Sequence, residues 1–533
     1  MRVDGSRKLK NIAVLDPTGD RTAIGVSSSM LHTWSNHHFI HIDVCRLFDG
    51  IGDPAGNGGG GKRFILSQIM RPPRLEYSLK IREALFMEKW DVTVIGGGLA
   101  GLTAAAFLAK QGLRTLVLEQ SSRWGGRAAT DEKDGCLFNM GPHALYSRGQ
   151  GLQILQELGL DPDGNEAVLG GRLVTLSGIH ALPVSARELL KTTAFSFREK
   201  LEFARVLAKV SKATLPGECM HVTLEEWVNQ NTSQETVREF LYCLFRLGTY
   251  SNAPSQVSAG ACLRQFQISR GGVRYLHGGW QAMIDSLTAL TQSAGAVLRT
   301  GQKVTSITGA HPAMRIHLAD HTEVETQSIV AALDPQVTHQ LTGKVPTSHL
   351  AALCERLIPV RGAALDLALR RLPDPNINFA LHLDQPYYFS NHSNVARLTR
   401  DDRHVVLHLY KYTSPDDNPN AERDRKELEE FLDLLQPGWR KELITSRYLP
   451  RIPVTYGLQT VERACSNGEE TLVSDIPGLY LAGDWTAGDA MLSDAAIVSG
   501  KVTAQHILNR ELSLATPTSP SSILKMEASK ERH

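Results

Sequence analysis

Cysteine is scarce. The 533 residues hold seven (Cys45, Cys136, Cys219, Cys243, Cys262, Cys354, Cys465), widely spaced and without a CxxC pair. That pattern argues against a disulfide framework and a cysteine zinc site, and fits a reducing, cytoplasmic setting. A charge surplus is missing too. Lys+Arg number 57 and Asp+Glu 56, a net charge of +1, which offers no general attraction to nucleic acid or anionic membrane. No apolar run approaches ~18 residues, so no spanning helix is expected; peripheral membrane contact stays open. No basic n-region leads into an apolar h-region, so no signal peptide is read. Apolar residues at 42% and charged residues at 21% exclude wholesale disorder and fibre. Neither a fixed-period repeat, nor a metal constellation, nor a nucleophile–base triad is visible, and no catalytic side chain is singled out.

Glycine is the one excess, at 45 residues, and its placement matters. Residues 1–86 carry 12 Lys/Arg against 8 Asp/Glu and a GNGGGG stretch at 56–61. They read as an atypical leader, with Met87 as a natural start. Their histidines (His32, His37, His38, His41) lack a Cys or carboxylate frame and are not read as a metal site. Residues 511–533, rich in Ser, Thr, Pro and charge, read as a disordered tail.

The chemistry starts at residue 91. DVTVI at 91–95 is a short β-branched run, expected as a buried parallel strand. Gly96-Gly97-Gly98-Leu99-Ala100-Gly101 follows at once, a GxGxxG. Gly96 permits a tight turn, Gly98 lets backbone approach a pyrophosphate, and Gly101 lets helix and strand pack closely. An Ala-rich helix at 102–111 presents its amino end to the phosphates. A second strand, Thr115–Leu118, ends in Glu119, placed for a ribose hydroxyl. Together these describe a dinucleotide-binding α/β unit, with FAD and NAD both open.

Arg123-Trp124-Gly125-Gly126-Arg127 comes next. Here the chain resembles the flavin amine oxidase superfamily, which includes phytoene desaturases and protoporphyrinogen oxidases. The resemblance implies FAD as cofactor and puts Gly125, Gly126 and Arg127 on it, with the Arg127 guanidinium facing phosphate. It recurs at Gly141-Pro142-His143, a segment near the flavin ring in relatives, where His143 is either a flavin or substrate neighbour or an ordinary turn residue. It recurs at the 276–283 turn and at Val304, whose counterpart touches the adenine end through its backbone. It closes with Gly483-Asp484, and with Leu492 and Ala495 at the start of a helix aimed at the flavin.

The resemblance covers roughly residues 88–510. It implies a Rossmann-like FAD-binding domain of glutathione-reductase type, assembled from 87–150, 266–334 and 450–510. An inserted α+β substrate domain then takes 151–265 and 335–449. Helical spacing marks 187–207 and 223–247. The aromatic run 386–392 is followed by the alternating 404–412, which reads as a strand; these aromatics are open either to lining a pocket or, as the favoured reading, to packing in an ordinary sheet core. No second GxGxxG unit follows a strand, so electrons are expected from an organic substrate, with dioxygen or a quinone as acceptor. Wording is nearest the phytoene desaturase-like branch, and a C–C or C–N bond of a small, largely apolar substrate is the expected target. No strong amphipathic anchor is evident. Protoporphyrinogen-oxidase-like and amine-oxidase-like activities are alternatives, although no lysine near the flavin is identifiable and Trp485 and Tyr456 are the available aromatics. A reading of another class is a non-catalytic binder of prenylated partners.

Overall fold

The chain falls into two units, Met1–Ala84 and Leu85–His533. The computed structural model describes residues 12–15, 21–24 and 89–515, apart from 169, 213, 467–474 and 487. In the first unit these residues form an antiparallel hairpin, Ile12–Leu15 against Arg21–Ile24. The leader histidines and most of the tail lie outside the described residues. The final helix, Leu492–Ala515, runs five residues into the segment expected as tail.

Within the second unit, 89–95 is a strand because its Val and Ile residues are buried on both faces (Val92, Val94 and Ile95). It pairs in parallel with Thr115–Leu118 on one side and Glu323–Ala331 on the other. Val297–Arg299 extends the parallel array, and Leu479–Leu481 adds to the far end of Glu323–Ala331. An antiparallel arm, Ala313–Leu318 and Val304–Ala310, completes this first sheet. Three distant stretches of chain therefore share one sheet. The helix Leu99–Lys110 lies against it, and Leu492–Ala515 packs on that helix through Ala100, Ala104, Ala504 and Ile507. Their approach is close: a Cβ on Gly500 would stand 2.4 Å from the Ala100 carbonyl.

The second sheet has seven strands, in the order Gly178–Ala181, Arg172–Thr175, Phe379–His382, Tyr387–Asn391, Val405–Tyr412, Val360–Leu369 and Leu443–Thr455. Apolar residues of Ala421–Leu435 cover one face. The other face meets helices from 197–269 around a cluster of Phe195, Phe203 and Phe240, whose rings meet edge to face at 5.1–6.0 Å. Each such pair adds about 0.5–1.5 kcal/mol to the area term.

Two expected boundaries move. Leu443–Thr455 belongs to the second sheet, so that sheet passes residue 449. Residues 335–357 do not join the second sheet: Leu341, Leu350, Leu353 and Leu357 pack into the first-sheet core. The expected long helices are also divided. Ser196 caps Phe197–Val210 in a capping box with Glu199, separating it from Ala186–Lys191. Leu224–Asn231, boxed by Thr223 and Glu226, ends before Glu235–Thr249 begins. A capping box satisfies two orphan N–H groups and so favours a fresh start over a continuous helix.

Candidate active site

The glycine turn is built by contact distances too short for side chains. Gly96 sits at φ +108°, and a Cβ there would be 2.4 Å from the Ala332 carbonyl; a Cβ on Gly101 would be 2.0 Å from the Gly96 carbonyl. Gly98 differs. Its Cβ would meet only the Gly125 carbonyl, at 3.7 Å. Gly98 lines the cavity and precedes the helix with no side-chain cap, so the first-turn N–H groups remain available to an anion there.

Glu119 ends its strand inside this turn and is buried. Its Oε2 accepts the Gly97 N–H at 2.7 Å, and its Oε1 accepts the Ser121 N–H and hydroxyl at 2.8 and 2.7 Å. The carboxylate thus fixes the turn while lining the cavity. The second glycine pair docks on the first: Gly125 N–H donates to the Gly97 carbonyl at 2.8 Å.

Arg127 departs from expectation. Its fork engages Asp484 at 2.9 and 2.8 Å, not an open phosphate position, and Nη1 also donates to the Val454 carbonyl at 2.9 Å. The guanidinium stacks on Tyr456, 5.0 Å from the ring centroid. Bidentate pairing with a buried carboxylate engages the fork, while the exposed remainder of the guanidinium lines the cavity. This pair ties the start of the chain's cofactor motifs to their end.

His143 lines the cavity, its ring edge-on to Trp280 at 4.8 Å, with Nδ1 3.0 Å from the Gly141 carbonyl. Burial lowers its pKa to about 4. Since a carbonyl only accepts, Nδ1 carries the proton and Nε2 is the basic atom. Leu492 also reaches the cavity, at φ +57°. Two residues on, Asp494 is buried against the amino end of Gln150–Leu158, beside Gly149 and Gly151; burial raises its pKa to about 7.

One cavity, of about 1100 Å³, gathers most of the expected residues: Gly96, Gly98, Leu99, Ala100, Glu119, Gly125, Gly126, Arg127, Pro142, His143, Gly483, Asp484 and Leu492. Four stand outside its walls. Gly101 serves helix–strand packing. Gly141 positions His143. Ala495 is fully buried within its helix. Val304 starts the outermost strand of the antiparallel arm and packs against the first-sheet core. An uncapped helix end, a glycine with room beside it and a carboxylate at the second strand together fit a dinucleotide such as FAD.

Sequence reading missed the helical part of the opposite walls and left the 386–392 and 404–412 aromatics open as pocket-lining. Phe203, Leu207, Leu244, Leu247 and Phe266 come from helices, and Tyr388, Ser390 and Tyr410 from the second sheet. Beside Tyr388 and Tyr410, on the same sheet face, runs a polar row in register across four strands: Ser390, His408, Asp366 and Arg447. His408 Nδ1 lies 2.7 Å from Asp366, and Arg447 donates to Asp366 at 2.6 Å and to Asp131 at 2.5 Å. The signal was alternation at 404–412, which puts His408, Tyr410 and Tyr412 on one face.

Comparison with known proteins agrees with this geometry. The model of the family described as "Flavin containing amine oxidoreductase" matches residues 99–508. Coproporphyrinogen III oxidase of Propionibacterium freudenreichii is 34% identical over 110 residues, 20% of this chain and 21% of that one. Flavin-containing amine oxidase A of Equus caballus is 23% identical over 273 residues, 47% and 51% of the two chains. The chain thus spans about a fifth and a half of these relatives. A solved oxidoreductase from Methanosarcina mazei shares the fold with TM-score 0.63 at 19% identity, covering 78% of this chain and all of that one. With the family model running from the last residues of the glycine turn through the Arg127–Asp484 clasp into the closing helix, the chain belongs to the flavin-containing amine oxidoreductase family.

Proposed function

We propose that this enzyme removes a hydride from a C–C or C–N bond of a small, largely apolar organic substrate, with dioxygen or a quinone as final acceptor. The cavity walls opposite the glycine turn carry the reading: Phe203, Leu207, Leu244, Leu247 and Phe266 offer apolar surface that favours transfer of an apolar molecule from water. Bound FAD supplies the hydride acceptor. The glycine turn, Glu119 and the Gly125–Arg127 segment are proposed to hold it. His143, kept neutral by burial, offers Nε2 to the proton that leaves with the hydride.

Amine oxidation through an aromatic pair is less well supported. Trp485 borders the cavity but is 1% exposed, and its indole N–H is committed to the Leu333 carbonyl at 3.0 Å. Tyr456 is engaged with Arg127. No lysine is among the described residues lining the cavity. These features favour a C–C bond, as in a desaturase. A porphyrinogen-type substrate is a second reading, favoured by the ring cluster of Tyr250, Tyr410 and Tyr412. A prenyl binder without cofactor is disfavoured by the turn, Glu119 and the clasp. In this reading the FAD domain gathers 87–150, 266–357 and 456–510, and the substrate domain 151–265 and 358–455; a cytoplasmic location belongs to the same proposal. The test is mass spectrometry after aerobic or quinone-supported turnover of polyenes, porphyrinogens and amines. A product lighter by a hydrogen pair from an apolar substrate is expected. Turnover of polar amines alone contradicts the reading.

A further inference from the structure

Among the described residues, eleven large hydrophobic side chains are exposed, and seven fall within 168–201. Phe197 (80%) and Leu201 (66%) form an i, i+4 pair on the outer face of Phe197–Val210, whose Phe203, Val206 and Val210 face the core. Leu190 (76%) projects from Ala186–Lys191 and Leu176 (89%) from the tip of the Arg172–Ala181 hairpin. These pieces are joined. Lys200 Nζ donates to the Leu190 carbonyl at 2.9 Å, and His180 Nδ1 lies 2.7 Å from the Thr193 hydroxyl. The charge is one-sided: residues 185–212 hold seven Lys/Arg against three Asp/Glu, in a chain whose net charge is only +1. Finally, Val168 and Val184 belong both to this exposed set and to the cavity wall, so the cavity opens at its edge.

We propose that this face docks on an anionic lipid surface and that the cavity takes its substrate from the apolar layer there. An exposed apolar stripe flanked by Lys and Arg is the composition of an interfacial helix: apolar side chains enter the acyl boundary while cations meet lipid headgroups. No helix among the described residues is long and apolar enough to cross a membrane, so the contact is with one leaflet. The proposal concerns where substrate enters and holds whichever apolar substrate is turned over.

The test is flotation of the FAD-loaded full chain with vesicles of phosphatidylcholine alone or mixed equally with phosphatidylglycerol. Binding to the mixed vesicles, weakened by high salt, is expected. Phe197→Ser with Leu201→Ser should reduce it at least tenfold while flavin content and melting temperature are kept. Val345→Ser with Leu434→Ser, exposed outside the patch, should leave it unchanged. Absence of wild-type flotation, equal binding to both vesicle types, or equal effects of the two double variants overturns the proposal. So does a dimer that the Phe197/Leu201 variant splits without any vesicle binding, which makes the face a self-association surface.

Discussion

Arg127→Met tests the clasp between the two ends of the cofactor motifs. The substitution keeps much of the stem's bulk and removes the fork from Asp484. The Asp484 side chain is 3% exposed, whereas that of Arg127 is 41% exposed, its open part facing the cavity. Removing one partner of a fully buried pair costs about 3–5 kcal/mol. Water in the cavity screens the arginine end, so without FAD the cost is discounted to about 2–3 kcal/mol. With FAD seated, that water is displaced and the full about 3–5 kcal/mol applies. The difference of about 1–2 kcal/mol corresponds to roughly five- to thirty-fold weaker FAD binding. Denaturant unfolding with and without FAD, with a flavin titration, measures all three quantities. Arg127→Met/Asp484→Asn should recover at least half of the stability loss, since no buried carboxylate is then left unpaired. A loss under about 1 kcal/mol in the single variant, the level of an exposed pair, refutes the reasoning.

Other expectations follow from the same site. Gly98→Trp should leave a folded protein without FAD, because the space beside Gly98 belongs to the cavity; Gly101→Ala should instead lower the melting temperature, because its Cβ meets the Gly96 carbonyl at 2.0 Å. Circular dichroism and flavin content separate the two. Glu119→Ala leaves the buried Gly97 N–H unsatisfied, a cost of about 1–3 kcal/mol, and should weaken FAD retention by tenfold or more; unchanged affinity removes Glu119 from cofactor binding. pH dependence should show two opposed contributions. His143, lowered to about 4 from 6.5, loses stability as pH falls through that window, because the unfolded chain takes up the proton first. Asp494, raised to about 7 from 3.8, loses stability as pH rises through its window. Between pH 4 and 6.5 the two slopes nearly cancel, so Asp494→Asn should leave stability rising with pH and His143→Phe should leave it falling, both read from melting temperatures.

The parts legible in the sequence are those with local rules. Strand, glycine turn, helix and Glu119 follow one another in chain order, so spacing placed them. The Arg127–Asp484 clasp spans 357 residues, and spacing alone says nothing about which charge meets which; resemblance placed both residues at the cofactor but aimed the arginine at phosphate. The Ser196/Glu199 box was readable as S-x-x-E, yet the apolar period running across it masked the break. Of the cavity's apolar walls, the aromatics near 388 and 410 were legible as candidates, whereas the residues near 203, 244 and 266 were not, because their helices converge only in three dimensions. The exposed stripe at Phe197 and Leu201 was hidden for another reason: the buried face of the same helix carries an equally apolar pattern, and only packing tells the two apart.

The most direct test of the central claim is anaerobic mixing of the purified, FAD-loaded protein with candidate substrates while the flavin's visible absorbance is followed. Rapid bleaching by an apolar unsaturated compound, restored on admitting dioxygen or a quinone, is the expected result. A preparation without flavin, or one bleached only by small polar amines, contradicts the claim.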